Sequence, residues 1–171
     1  LLWKQSKEQF EFFRADFIAL FLIVIFGGQL MVSSLDLVTV ILSLELCCCS
    51  LCMLNLLINP NRFGREGAMK AFIVGCVGIS FIVLGLSLIY PAVRSLDLRL
   101  MHTNLISEFF LSDLFLRAGC LLIMIGFFLK MGIAPFHLWY PDLYEAAPAS
   151  MAFAFSNLLK VCILIFILRI L

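Results

Sequence analysis

From Asp16 to Ile170 the chain is one apolar stretch after another, and this constrains its fold more than any other feature. A helical span needs roughly 20 predominantly apolar residues. Five stretches meet that length: about 16–32, ending at Ser33-Ser34; 35–58, stopped by Asn59-Pro60; 66–90, stopped by Pro91; 112–145; and 147–170. Proline cannot continue a helix, so Pro60 and Pro91 mark ends, whereas Pro148 falls in a first turn, where its missing N–H is not needed. Hydrophobic residues make up 64% of the chain and charged ones 13%, against roughly a quarter charged in soluble domains. The expected fold class is an all-α membrane protein of five transmembrane helices.

Residues 1–15 differ from the rest. They set Trp3, Phe10, Phe12 and Phe13 among Lys4, Lys7 and Arg14, the pattern of an amphipathic interfacial helix leading into the first span. With no apolar core before the first charges, no cleavable signal peptide is expected. Five spans alternate sides, so residues 1–15, the 59–65 loop and the corner at 141–147 share one face. That face carries Lys4, Lys7, Arg14, Arg62 and Arg65; the other carries Arg94 and Arg99, with Arg169 near the chain end. The excess of basic residues favours an amino terminus on the matrix or cytoplasmic side.

The fourth stretch holds the chemistry. In KMGIAPFHLWYPDLYEAAP, from Lys130 to Pro148, a lysine stands late in an apolar run. At that depth a lysine costs several kcal/mol unless it faces a polar interior. Gly132 and Pro135 follow, and a helix break is expected near 131–135. Broken backbone at membrane depth is tolerated only where protein or a wet cavity satisfies the freed groups. The combination reads as a polar path for protons or ions inside a helical bundle, with the break lined by protein.

The run K-x-x-x-x-PFHLW-x-PD-x-YE-x-AP closely resembles the antiporter-like subunits of respiratory complex I, and among them the subunit 2 type, called subunit N in bacteria. The resemblance covers nearly the whole chain. It implies an inverted-repeat fold in which each repeat has five helices, the fourth of them discontinuous. The chain then corresponds to one repeat, helices four to eight of a fourteen-helix subunit, and a separate chain is expected to supply the second repeat. Other complex I membrane-arm subunits and lipids are the remaining expected partners.

Few ionisable residues lie inside the spans, and these are the candidate site. Glu45 sits mid-span with Ile41, Leu42, Cys48 and Cys49 one turn away, so its partner is expected from another helix. Lys130 is the candidate, and the resemblance pairs the matching glutamate and lysine. Lys160, near the middle of the fifth span, is the expected proton relay, facing the second repeat. Lys70, one turn into the third span, reads first as a lysine snorkelling to the interface; the resemblance raises the chance that it feeds protons inward. His137 is expected either to bridge Lys130 to Lys160 through water or to bond a freed carbonyl of the broken helix. Trp139, Tyr140, Asp142 and Glu145 read as interfacial aromatics and helix caps. Asp113 is expected to pair with Arg117, and His102, in the 92–111 loop, to be solvated.

The chain shows no Gly-rich nucleotide loop, flavin signature or iron–sulfur cysteine spacing. NADH, flavin, iron–sulfur clusters and quinone are therefore expected to be handled by other subunits, with no cofactor, metal or catalytic centre in this one. Its seven cysteines lie in apolar runs and read as small hydrophobes. A net charge of +1 without clustered Lys and Arg gives no nucleic-acid footprint. The expected function is a non-redox, proton-translocating membrane-arm subunit of NADH:ubiquinone oxidoreductase. The alternatives are a subunit of a multisubunit cation/proton antiporter, or a scaffold that no longer conducts. Richness in Phe, Leu and Cys suits an organelle-encoded gene, hence the mitochondrial inner membrane, or the plasma membrane if the chain is bacterial.

Overall fold

The computed structural model describes residues 2–58, 61–100, 114–146 and 149–170. Six helices run through them: α1 Leu2–Ser33, α2 Leu37–Ile58, α3 Arg62–Val93, α4 Leu114–Met131, the short α5 Tyr140–Ala146, and α6 Ala149–Ile170. Four segments are long and apolar enough to cross a membrane: Ala15–Ser33, Leu37–Ile58, Arg62–Pro91 and Leu114–Met131. α6 adds a shorter apolar stretch, Ala152–Leu168. The chain is a multi-pass, all-helical membrane protein.

Where the elements depart from the expected bounds, a local cause is visible. The 1–15 segment is no separate helix, since α1 runs unbroken from Leu2. α2 starts at Leu37, two residues later than expected, because the backbone before it is used elsewhere. Leu98 N–H donates to Leu35 O (2.8 Å) and Leu37 N–H to Leu96 O (3.1 Å), forming an antiparallel bridge between Asp36 and Asp97. The Thr39 hydroxyl then caps Asp36 O at 2.7 Å. α3 begins earlier than 66 and passes through Pro91, closing only at Arg94. Arg94 takes the left-handed conformation (φ 53°), and its N–H donates to Tyr90 O. A proline so close to a helix end forfeits one bond without breaking the helix. The loop residue His102, Asp113 (the expected partner of Arg117) and Pro148 lie outside the described residues.

The Asp36–Asp97 bridge ties the carboxyl ends of α1 and α3 to one face, as alternating spans require. α2 is the central helix. Val40, Leu44, Leu51 and Leu54 are all within 1% of full burial, and they pack with Val24 and Met31 of α1 and Leu159, Ile163 and Phe166 of α6. Phe127 of α4 meets Phe166 with ring centroids 5.6 Å apart. α1, by contrast, exposes Ile18, Leu22 and Phe26 at four-residue spacing, each more than half exposed. In a membrane protein such a stripe faces lipid or another subunit.

α3 and α4 touch through glycines. A methyl group on Gly85 would lie 2.6 Å from Gly119 O, and one on Gly119 would lie 2.8 Å from Gly85 O. Seven residues along, Gly78 and Gly126 repeat the contact: a methyl on Gly126 would lie 2.6 Å from Gly78 O. The pairs run in opposite directions, so the helices are antiparallel. Small residues permit such close backbone approach, which drives helix association where lipid offers no hydrophobic incentive. The seam fixes the height of α4, and hence of its last turn, against α3.

Candidate functional site: a buried ion pair at the end of a broken helix

α4 ends in a backbone motif that closes on itself. Gly132 adopts φ +60°. Its N–H donates to Leu129 O at 3.3 Å, and Ile133 N–H donates to Phe128 O at 3.1 Å. These five-to-two and six-to-one bonds with a left-handed glycine make a Schellman C-cap. The break is longer than the expected 131–135, since helix resumes only at Tyr140. A cis peptide bond joins Ala134 to Pro135, and Phe136 N–H donates to Ile133 O. Within this chain the turn is not enclosed: Ile133 is 42% and Leu138 80% exposed. A protein lining for these residues would therefore have to come from outside the described residues.

The cap sets Lys130 in the last helical turn, where backbone carbonyls give the helix end its negative character. Lys130 Nζ donates to Glu45 Oε1 at 3.0 Å. The lysine side chain is 1% exposed and the glutamate 28%. The expected pair is thus formed, between α2 and α4, with the glutamate as its wetter end. One expectation about Glu45 is corrected: it does have a partner within its own helix, because Cys49 Sγ donates to Oε2 at 3.6 Å. A cysteine one turn on is a weak donor as well as a small hydrophobe. Cys48 also belongs to the site, its thiol packed on the same glycine as the Lys130 amine. A methyl on Gly75 of α3 would lie 3.1 Å from Cys48 Sγ and 3.3 Å from Lys130 Nζ, so the missing side chain there makes room for both.

Within this chain Lys160 meets an aromatic ring. Its Nζ sits 4.5 Å from the centroid of the Tyr140 ring, within range for a cation–π contact. Tyr140 is 4% exposed, packs on Trp139 (4.2 Å between centroids) and Tyr144 (5.1 Å), and lies against Gly132 so closely that any side chain there would strike its ring. The aromatic next to Lys160 is therefore Tyr140, which the sequence suggested was interfacial. His137 is exposed. Two carbonyls at the break, those of Phe128 and Leu129, already accept backbone N–H groups.

Lys70 is half-exposed and bonds Asp142 Oδ2 at 2.7 Å and Glu66 Oε1 at 3.1 Å, two partners the sequence did not indicate. Asp142 still stands in the first turn of α5, so it clasps that short helix to α3 besides favouring its amino end. The pair borders an open groove of about 210 Å³ lined by Phe63, Glu66, Gly67, Lys70, Asp142 and Glu145. No metal-binding group of three or more His, Cys, Asp or Glu occurs among the described residues.

The sequence reading also missed Asn55, fully buried in α2 with neither side-chain polar atom hydrogen-bonded in the structure. The signal was present: it is an amide in an otherwise apolar run, singled out by the same rule that found Glu45.

Residues 34–171 match the family described as NADH:quinone oxidoreductase/Mrp antiporter, transmembrane. The chain belongs to this family. It is 32% identical over 164 residues to NADH-quinone oxidoreductase subunit N of Ruthia magnifica, covering 93% of this chain and 33% of the relative. With subunit N of Coxiella burnetii it shares 35% identity over 157 residues, covering 91% and 32%. In structure it resembles a chain of respiratory complex I from Thermus thermophilus with bound aureothin (TM-score 0.76, 25% identity, 90% of this chain and 34% of that one). It also resembles a chain of an archaeal membrane-bound sulfane sulfur reductase (TM-score 0.75, 26% identity, 88% and 31%). The chain spans about a third of the length of the curated relatives it matches.

Proposed function

We propose that this chain is part of a proton-translocating membrane-arm subunit of an NADH:quinone oxidoreductase, with no redox centre of its own. The observation that carries this reading is the Glu45–Lys130 pair: two opposite charges 3.0 Å apart between two membrane helices, held by a Gly-dependent cap at a helix break. A buried pair of this kind is weak evidence for stability, since apolar residues of similar volume often serve as well. Its worth lies in being switchable. Two unit charges about 4 Å apart at an effective dielectric near 20 interact by about 4 kcal/mol. Separating the pair removes the field that holds a proton on Lys130, which then passes toward Lys160.

In this reading Lys70, with its acidic neighbours and groove, lies on the side from which protons arrive, the matrix or cytoplasmic side, together with the amino terminus. His137 remains a solvent-side participant. The coupling signal comes from neighbouring membrane-arm subunits and from a second five-helix repeat, and the redox cofactors reside elsewhere in the complex. An antiporter subunit is the second reading, favoured by the breadth of a family that spans oxidoreductases and cation/proton antiporters. Purification of the chain in mild detergent with mass spectrometry of its companions decides between them. Companion subunits with flavin and iron–sulfur clusters, and NADH oxidation by the purified assembly, are expected; companions drawn only from antiporter subunits would overturn the first reading.

A further inference from the structure

Lys130 and Lys160 stand on different helices, and what lies between them is aromatic. The Tyr140 hydroxyl is buried and makes no hydrogen bond in the structure, and neither does the neighbouring Trp139 Nε1. A buried phenol is ordinarily hydrogen-bonded, to protein or to an ordered water. The ring lies against Gly132, two residues past Lys130. On its π face the same ring carries Lys160 Nζ, 4.5 Å from the centroid. The ring is fixed there by Trp139, Tyr144 and the bare Cα of Gly132. One side chain thus packs against the helix break just past Lys130, carries Lys160 on its ring, and has a buried polar end without a partner.

From this juxtaposition we propose that Tyr140 is a positioning residue for lateral proton transfer: its hydroxyl joins the Lys130 site to Lys160 through water, and its ring holds Lys160 in receiving distance. The inference rests on the proton-path reading above. In the step, Lys130 Nζ gives up a proton and the Tyr140 oxygen accepts one from the intervening water. The hydroxyl passes its own proton on, and Lys160 Nζ, having released its earlier proton onward, receives it through its lone pair. The phenol ends as it began, so no charge is left on it. The ring also explains why Gly132 is needed beyond the backbone cap, because a larger residue would displace the ring from both lysines.

The test compares Tyr140→Phe, Tyr140→Leu and Lys160→Met in the intact complex in sealed membrane vesicles. The readouts are proton yield per NADH oxidised and the solvent deuterium isotope effect on pumping. A positioned proton-transfer group contributes roughly a hundredfold or more to its step. Tyr140→Phe, which keeps the ring and its packing, is therefore expected to lose at least about half of the yield that Lys160→Met loses, and to show a larger isotope effect. Tyr140→Leu should lose more, since Lys160 also loses its platform; if it fails to assemble, Tyr140→Phe alone decides. Wild-type yield and isotope effect in Tyr140→Phe, beside a defective Lys160→Met, would overturn the role of Tyr140 and leave the lysine path standing. Wild-type yield in Lys160→Met would overturn the path itself.

Discussion

At the scale of single residues, the site depends on charges whose partners are few and on one glycine. Removing one member of a buried pair strands the other, whereas removing both can be nearly neutral. Glu45→Leu is therefore expected to destabilise the assembled protein by about 3 kcal/mol, at the lower end for buried pairs because Glu45 is partly exposed. Adding Lys130→Met to Glu45→Leu should recover most of that loss in a thermal melt. A double variant no more stable than the single one would show that the pair is held by something other than mutual charge. Gly132→Ala should cost about 2–4 kcal/mol, from the left-handed backbone at φ +60° together with the displaced Tyr140 ring. The same melt measures it.

At the scale of elements, the α3–α4 seam is the joint that sets Lys130 opposite Glu45. Gly85, Gly119, Gly78 and Gly126 hold the backbones in contact, with no room for a larger residue between them. Gly85→Val should push α4 away from α3 and cost about 1–3 kcal/mol, the usual range for overpacking. A thermal melt of the assembled protein would measure the loss. The Lys70–Asp142 clasp is a weaker joint, exposed on both sides, and exposed pairs contribute about 0–1 kcal/mol. Lys70→Met should leave stability nearly unchanged, so any loss of proton uptake in that variant reflects its charge.

The elements also show what the sequence could and could not reveal. Apolar run length placed the spans, because in lipid the backbone leaves no alternative to continuous helix. The lone charges Glu45 and Lys130 were legible for a related reason: each is costly in lipid without a partner, and each is the other's natural one. Tyr140 and Asp142 were not legible. The sequence WYPD fits an interfacial turn equally well, and only the direction in which the chain leaves the Gly132 cap decides that Tyr140 goes inward. Lys160 was found as a residue but its aromatic neighbour was not, since helix periodicity alone does not say which face of α6 meets the rest of the chain. The glycine seam follows from two glycine pairs at seven-residue spacing, a pattern that becomes informative only once the two helices are known to pack.

At the scale of the whole molecule, the carboxyl ends of α1 and α3 share one face through the Asp36–Asp97 bridge. Single cysteines in place of Arg65 and Arg94, in a background lacking the native thiols, should therefore be labelled by an impermeant maleimide from opposite sides. On the proposed orientation, Arg65→Cys reacts from the matrix or cytoplasmic side. Labelling of both from one side would contradict the arrangement of spans. The apolar stripe of Ile18, Leu22 and Phe26 on α1 marks a face for lipid or a neighbouring subunit.

The central claim is that the Glu45–Lys130 pair carries protons, and it is tested most directly by proton yield per NADH oxidised in sealed vesicles containing Lys130→Met. Methionine keeps the length and apolar character of the lysine stem and removes its titrating amine. The account predicts an assembled complex that still oxidises NADH with a soluble electron acceptor but moves fewer protons for each NADH consumed. An assembled Lys130→Met complex with wild-type proton yield would contradict it.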